Sequence, residues 1–149
     1  MQTVYEDGPK RDRRLWIGDL YLESLANIYS FKNHDLTKHC LYMLAGLSYE
    51  DGVAPSNVFE RPTPHAQINP LFDYALIYNV ALKEYLVATG DKKTALDLWQ
   101  VAKNQMTVDI AFKQADIGCI FHQAVGRQRK AVVNHKLRLF CKLISQMES

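Results

Sequence analysis

The sequence predicts an all-α fold of antiparallel α/α hairpins. Apolar residues recur at helical spacing through four segments, no stretch of comparable length alternates with period two, and the connections alternate between tight and long. Leu22, Leu25, Ala26 and Tyr29 form the first stripe; Leu36, Cys40, Met43 and Leu47 form the second. The third runs through Leu71, Ala75, Tyr78, Leu82 and Tyr85, and the fourth through Ala95, Leu98, Ala102, Met106 and Ile110.

The tight links explain the hairpins. Helix one passes to helix two through Lys32-Asn33-His34-Asp35, where Asp35 is placed to cap by accepting a backbone N–H bond. Helix three passes to helix four through Thr89-Gly90-Asp91, with Gly90 suited to the left-handed stop and Asp91 to the next N-cap. Between the hairpins lies the long connection Ser48 to Pro70, without a helix of its own and rich in proline (Pro55, Pro62, Pro64 and Pro70). A loop of that length is more often functional than idle. Short loops at one end and long loops at the other suggest a stack or ring of α/α hairpins with a cleft on the long-loop face. A small bundle with one proline-rich excursion fits the same periodicity.

Composition narrows the function classes. At 149 residues, 48% hydrophobic and 23% charged, the chain is suited to one folded domain rather than a disordered tract. Its longest near-continuous apolar stretch, Cys40 to Leu47, is far short of a membrane span, and the polar start lacks the pattern of a secretory signal. A cytoplasmic location is the expectation, with Cys40, Cys119 and Cys141 reduced, since three scattered cysteines make no disulfide framework. No phosphate loop, nucleophile elbow or dinucleotide fingerprint occurs. Cys119 and His122 have no matching second pair, so neither a metal nor a cofactor is expected.

The densest cluster of functional side chains is Asp7-Gly8-Pro9-Lys10-Arg11-Asp12-Arg13-Arg14-Leu15-Trp16-Ile17-Gly18-Asp19. Its glycines and proline argue for loop, with Asp19 near the start of the first helix, where the helix dipole favours an ionised carboxylate. Glycosidic cleavage needs one carboxyl to donate a proton and another to act as base or nucleophile, and an indole face stacks on the C–H side of a sugar. Proton donation by Asp12 near neutral pH needs desolvation or a second carboxylate to outweigh Arg11 and Arg13. A solvated run of mixed charges is the competing reading of the same residues.

The string DGPKRDRRLWIGD resembles the signature of the six-hairpin α/α-barrel glycosidases, specifically the α-L-rhamnosidase-like catalytic domain of glycoside hydrolase family 78. The similarity continues through Glu50-Asp51-Gly52-Val53-Ala54-Pro55, the segment from Phe72-Asp73-Tyr74 to Gly90-Asp91, and the helix with Trp99, over roughly residues 5 to 115. The resemblance implies part of a six-hairpin α/α barrel and an inverting hydrolase of terminal rhamnose or a related deoxysugar. It implies Asp12 as general acid, Asp7 and Asp19 as sugar-binding groups and Trp16 as a wall of the subsite. Asp73 matches a segment that in the family is usually Asp-Trp, where this chain has Asp73-Tyr74.

Two departures accompany it. The best characterised members have Glu where this chain has Asp12, one methylene longer. The family's base is a Glu on a much later hairpin, and none of Glu6, Glu23, Glu50, Glu60, Glu84 or Glu148 matches its context. The chain therefore reads as an incomplete barrel domain over 1–115, inactive by itself, followed by a basic helical tail over 116–149. Net charge changes from −2 to +4 at that boundary. A basic amphipathic helix near 127–147 is expected, packed on the hairpins, facing an acidic membrane or partner, or foreign to the family. The favoured partner is a carbohydrate, with no nucleic acid and no membrane; the rival reading is a non-catalytic helical-hairpin interaction module. An unfinished ring would also self-associate through its exposed half-barrel surface.

Overall fold

The computed structural model describes residues 3–8, 13–67 and 71–114, together with Arg138, Cys141, Lys142 and Ser145. In chain order the elements are β1 (Leu15–Trp16), α1 (Ile17–Tyr29), α2 (His34–Gly46), β2 (Asn57–Phe59), β3 (His65–Ala66), α3 (Phe72–Thr89), α4 (Lys92–Asp97) and α5 (Trp99–Gln114). Helices dominate, as the periodicity predicts. The long connection has no helix but is not featureless: β2 and β3 form a hairpin, and β1 joins it as an antiparallel edge, in the order β1-β2-β3. Strands of two or three residues are too short to show alternation in a sequence.

Helix α3 is central and packs most extensively on α1 and α5. Its predicted face is buried at Ala75, Tyr78, Leu82 and Tyr85, and Val80, Ala81 and Leu86 are buried as well, which suits a helix surrounded on several sides. Leu71 is only its exposed N-cap. The fourth stripe is divided at Leu98 between α4 and α5, yet Leu98 N–H bonds to Thr94 O and Ala102 N–H to Leu98 O, so Ala95, Leu98 and Ala102 stay in phase and buried. On the second stripe Cys40 is buried beside Thr37, Leu41 and Leu44. Burial pushes the Cys40 thiol up to about 12, leaving it un-ionised and inert at neutral pH.

The face of α1 differs from the predicted stripe. Buried are Ile17, Leu20, Ser24 and Asn27, while Leu22 and Tyr29 are 65% and 85% exposed. Local hydrogen bonds explain why polar residues take the inner face. Ser24 Oγ donates to Tyr21 O, and the Asn27 amide donates to Asn33 O at 2.9 Å while accepting from Asn33 N–H at 3.0 Å. The same turn corrects the cap of α2, where Asn33 rather than Asp35 accepts from Leu36 N–H.

The Gly90-Asp91 pivot is as predicted, with Gly90 left-handed at φ +70° and Asp91 accepting from Thr94 N–H. Asp91 also takes Lys38 Nζ at 2.9 Å, Tyr85 OH at 3.0 Å and Thr94 Oγ1 at 2.7 Å, so one carboxylate ties α2, α3 and α4. These donors hold its carboxyl well below the usual range.

The boundary drawn at residue 115 and Cys119 lie outside the described residues. Of the expected basic helix only Arg138, Cys141, Lys142 and Ser145 are described, all helical, with Cys141 Sγ 3.8 Å from Met106 Sδ of α5. Cys40 and Cys141 are free thiols. Among the described residues no helix is long and apolar enough to cross a membrane.

Asp91→Ala should lower stability by about 1–2 kcal/mol, the order of a lost N-cap, as read by urea denaturation at neutral pH. Because the folded carboxyl is depressed, its contribution is complete above the ordinary carboxylate pKa and fades as pH falls toward the folded value. The difference between parent and variant should therefore shrink on acidification below about pH 4.

Candidate functional site

Ser56 organises the region around the charged motif. Its carbonyl accepts Ile17 N–H at the start of α1 (3.1 Å), and its buried hydroxyl accepts Leu71 N–H at the start of α3 (2.6 Å). Two helix N-termini are thereby anchored to one residue of the long connection. Asp19 lies in the first turn of α1 and Asp73 in that of α3. Helix starts favour negative charge, by about 0.3–1 kcal/mol each.

Register fixes the aromatic wall. Leu15 pairs with Val58 and Trp16 with Asn57, so directly opposed side chains share a face. Leu15 and Val58 are buried in the core, and Trp16 and Asn57 emerge on the other face. The Trp16 ring meets Tyr74 edge-on, with centroids 6.1 Å apart and planes at 88°. Tyr74 also lies over Gly18, where an added methyl carbon would come within 2.9 Å of the phenol oxygen.

Asp7 reaches this corner because the motif folds back on itself. Asp7 N–H bonds to Arg14 O at 2.9 Å and Arg13 N–H to Asp7 O at 3.1 Å, with Arg13 held at φ +49°. Asp12 itself lies outside the described residues. Arg14 turns to the β2–β3 hairpin: its guanidinium covers the Phe59 ring at 4.4 Å and donates to Gln67 Oε1, and Phe59 stacks on His65.

The acids share one electrostatic neighbourhood. Partial burial, then the charge of Asp7, raises the proton affinity of Asp19 and outweighs the pull of its own backbone N–H at the helix start. Glu23 is raised by burial and then by Asp19, Asp7 and Glu6. The Tyr74 phenol is raised by burial and then by Asp19, Asp7 and Asp73. Asp7, Asp19, Glu23 and Tyr74 thus feel one another's charge, Trp16 packs on Tyr74, and Asp73 stands exposed in the first turn of α3 beside Tyr74. Glu23 was signalled only by its four-residue spacing from Asp19, which places both carboxylates on one face of α1. Tyr74 was signalled only by its place beside Asp73.

An aromatic pair beside crowded, partly desolvated carboxyls suits a neutral ligand rich in hydroxyls: the oxygens accept O–H bonds and the rings take C–H faces. Among the described residues no group of three His, Cys, Asp or Glu could hold a metal ion.

No family model matches the chain, and no curated protein does. Among solved structures it is similar to a rhamnosidase from Klebsiella oxytoca with rhamnose bound, at 48% identity and a TM-score of 0.71. The match covers 72% of this chain and 21% of that one, so this chain spans about a fifth of the length of the rhamnosidase it matches. Over the matched region the chain is rhamnosidase-like.

Asp19→Asn should lower the pKa of Glu23 toward the ordinary carboxylate value, followed by carboxyl-carbon NMR titration. A carboxyl raised in the folded state opposes folding when ionised, so the variant should also be more stable than the parent at pH 7. That advantage should disappear as pH falls below the carboxylate range. Gly18→Ala should keep the helical circular dichroism but displace Tyr74, seen as changed ring-proton shifts of Tyr74 and Trp16.

Proposed function

We propose that this chain carries the proton-donor side of the sugar pocket of an inverting glycoside hydrolase resembling the α-L-rhamnosidases. In that reading Asp12 protonates the leaving oxygen of a terminal rhamnose-like sugar, Asp7, Asp19 and Asp73 accept its hydroxyl protons, and Trp16 with Tyr74 walls the ring. The observation that carries it is the convergence of Asp7, Trp16, Asp19 and Tyr74 in a segment rhamnosidase-like in sequence. The helices belong to part of a six-hairpin α/α barrel in this reading. Inversion needs a second carboxylate about 6.5–9.5 Å from the acid to activate water. No glutamate of this chain stands in the family's context for that base, so in this reading the chain by itself lacks it.

The test is binding and turnover measured together. L-rhamnose should shift the amide resonances of Gly18, Asp19 and Tyr74 in the parent, and Asp7→Asn should weaken that binding roughly tenfold or more, the order of a lost charged hydrogen bond. An aryl α-L-rhamnoside should be turned over little or not at all. Hydrolysis at an ordinary enzymatic rate that Asp12→Asn abolishes would overturn the missing-base reading. Absence of sugar binding at millimolar concentration would overturn the pocket.

A second reading is favoured by one surface. Leu22, Tyr29 and Phe31 are 65%, 85% and 89% exposed, an apolar ridge along and just beyond α1. We propose that it drives association between copies. Sedimentation should show concentration-dependent oligomers that Tyr29→Ser with Phe31→Ser reduces to monomer.

A further inference from the structure

The Trp16 indole N–H is buried and has no hydrogen-bond partner among the described residues, and the same holds for both polar atoms of the Asn57 amide. Asn57 is 0% exposed. These residues face each other across β1 and β2 and emerge on one side of the ribbon. Unpaired donors and an unpaired acceptor therefore belong to two residues opposed across one face of the ribbon. A buried polar atom left unmet is costly, and a leucine at position 57 would remove the amide's share of that cost but not the indole's.

We infer that Asn57 is a positioning residue for Trp16, acting through one buried water that accepts from the indole N–H and the amide N–H and donates to the amide carbonyl. Buried waters characteristically make about three hydrogen bonds to groups otherwise unmet. The chemistry is complementary: the indole is donor-only, the amide both donor and acceptor, and water joins them where a direct indole-to-carbonyl bond would leave the amide N–H orphaned. The bridge fixes the indole through its N–H while Tyr74 packs edge-on against the ring, so the ring is held in place before a ligand arrives. Its consequence for sugar binding rests on the pocket proposed above.

The test uses the full chain. Two indole N–H resonances are expected from its two tryptophans, and Trp99→Phe assigns the one from Trp16. In the parent the Trp16 indole proton should show a cross-relaxation peak to a long-lived water. Asn57→Leu should abolish that peak, shift the indole resonance and lower urea stability, because the buried indole N–H is left unmet; Asn57→Ser, which keeps a hydroxyl, should partly restore the peak. L-rhamnose affinity should fall roughly tenfold or more in Asn57→Leu, as a displaced wall requires. A parent without the water peak, or an Asn57→Leu protein whose indole resonance is unchanged, overturns the inference. If Asn57→Leu does not fold, Asn57→Ser carries the test, and an Asn57→Ser protein with the parent's indole resonance and no weakening of the water peak overturns the inference. If the water peak behaves as described but the parent binds no rhamnose, the positioning stands and the sugar pocket falls.

Discussion

Pairing of β1 with β2 is the constraint from which the rest of the site follows. Two residues on one strand and three on the other align Leu15 with Val58 and Trp16 with Asn57, and the next residues along, Ile17 and Ser56, are joined by a backbone hydrogen bond. A slip of one residue would turn Leu15 outward and Trp16 into the core. Because Ser56 also holds Leu71, the same short ribbon sets where α3 begins, and so where Asp73 and Tyr74 stand relative to Asp19. The long proline-rich connection is a brace between helix starts, held further by α5 through Asn104 on Gly52 O and Gln105 on Ala54 O.

Charge at that corner is a balance of opposed effects. Helix N-termini favour carboxylates, whereas burial and mutual repulsion disfavour them, and for Asp19 and Glu23 the second pair of effects is the larger. Asp91 shows the reverse, a carboxylate surrounded by donors and held ionised. One acid is arranged to stabilise the helices. The others are crowded in a way that opposes their ionisation.

The parts legible in the sequence were those set by local chemistry. Gly90 and Asp91 mark a stop and a start whatever surrounds them, and the Ala75-Tyr78-Leu82-Tyr85 stripe is buried because α3 has neighbours on several sides. The α1 face was misread because apolar spacing ignores polar side chains that satisfy one another: the Asn27–Asn33 pair makes an asparagine fit for the interior and leaves Leu22 and Tyr29 outside. Asp35 lost the cap to Asn33 by the same local geometry. Strands β2 and β3 exist only through pairing with each other and with β1, a long-range fact that residues 48–70 do not carry alone. Around the motif, Asp7, Trp16 and Asp19 stand out by residue type and spacing and Asp73-Tyr74 by a separate segment, whereas the charge coupling of Glu23 and Tyr74 to Asp19 needs the packing of α3 on α1.

The Asn27–Asn33 clasp closes a loop of a few residues, whereas the β1–β2 ribbon joins segments about forty residues apart. Chain-closure entropy makes the first contact easy to form early and the second costly until helices have shortened the path between its ends. The α1–α2 hairpin can therefore mature while the corner bearing Trp16 and Asp19 is still open. By the same loop-closure entropy, the corner opens before the α1–α2 hairpin when the chain unfolds.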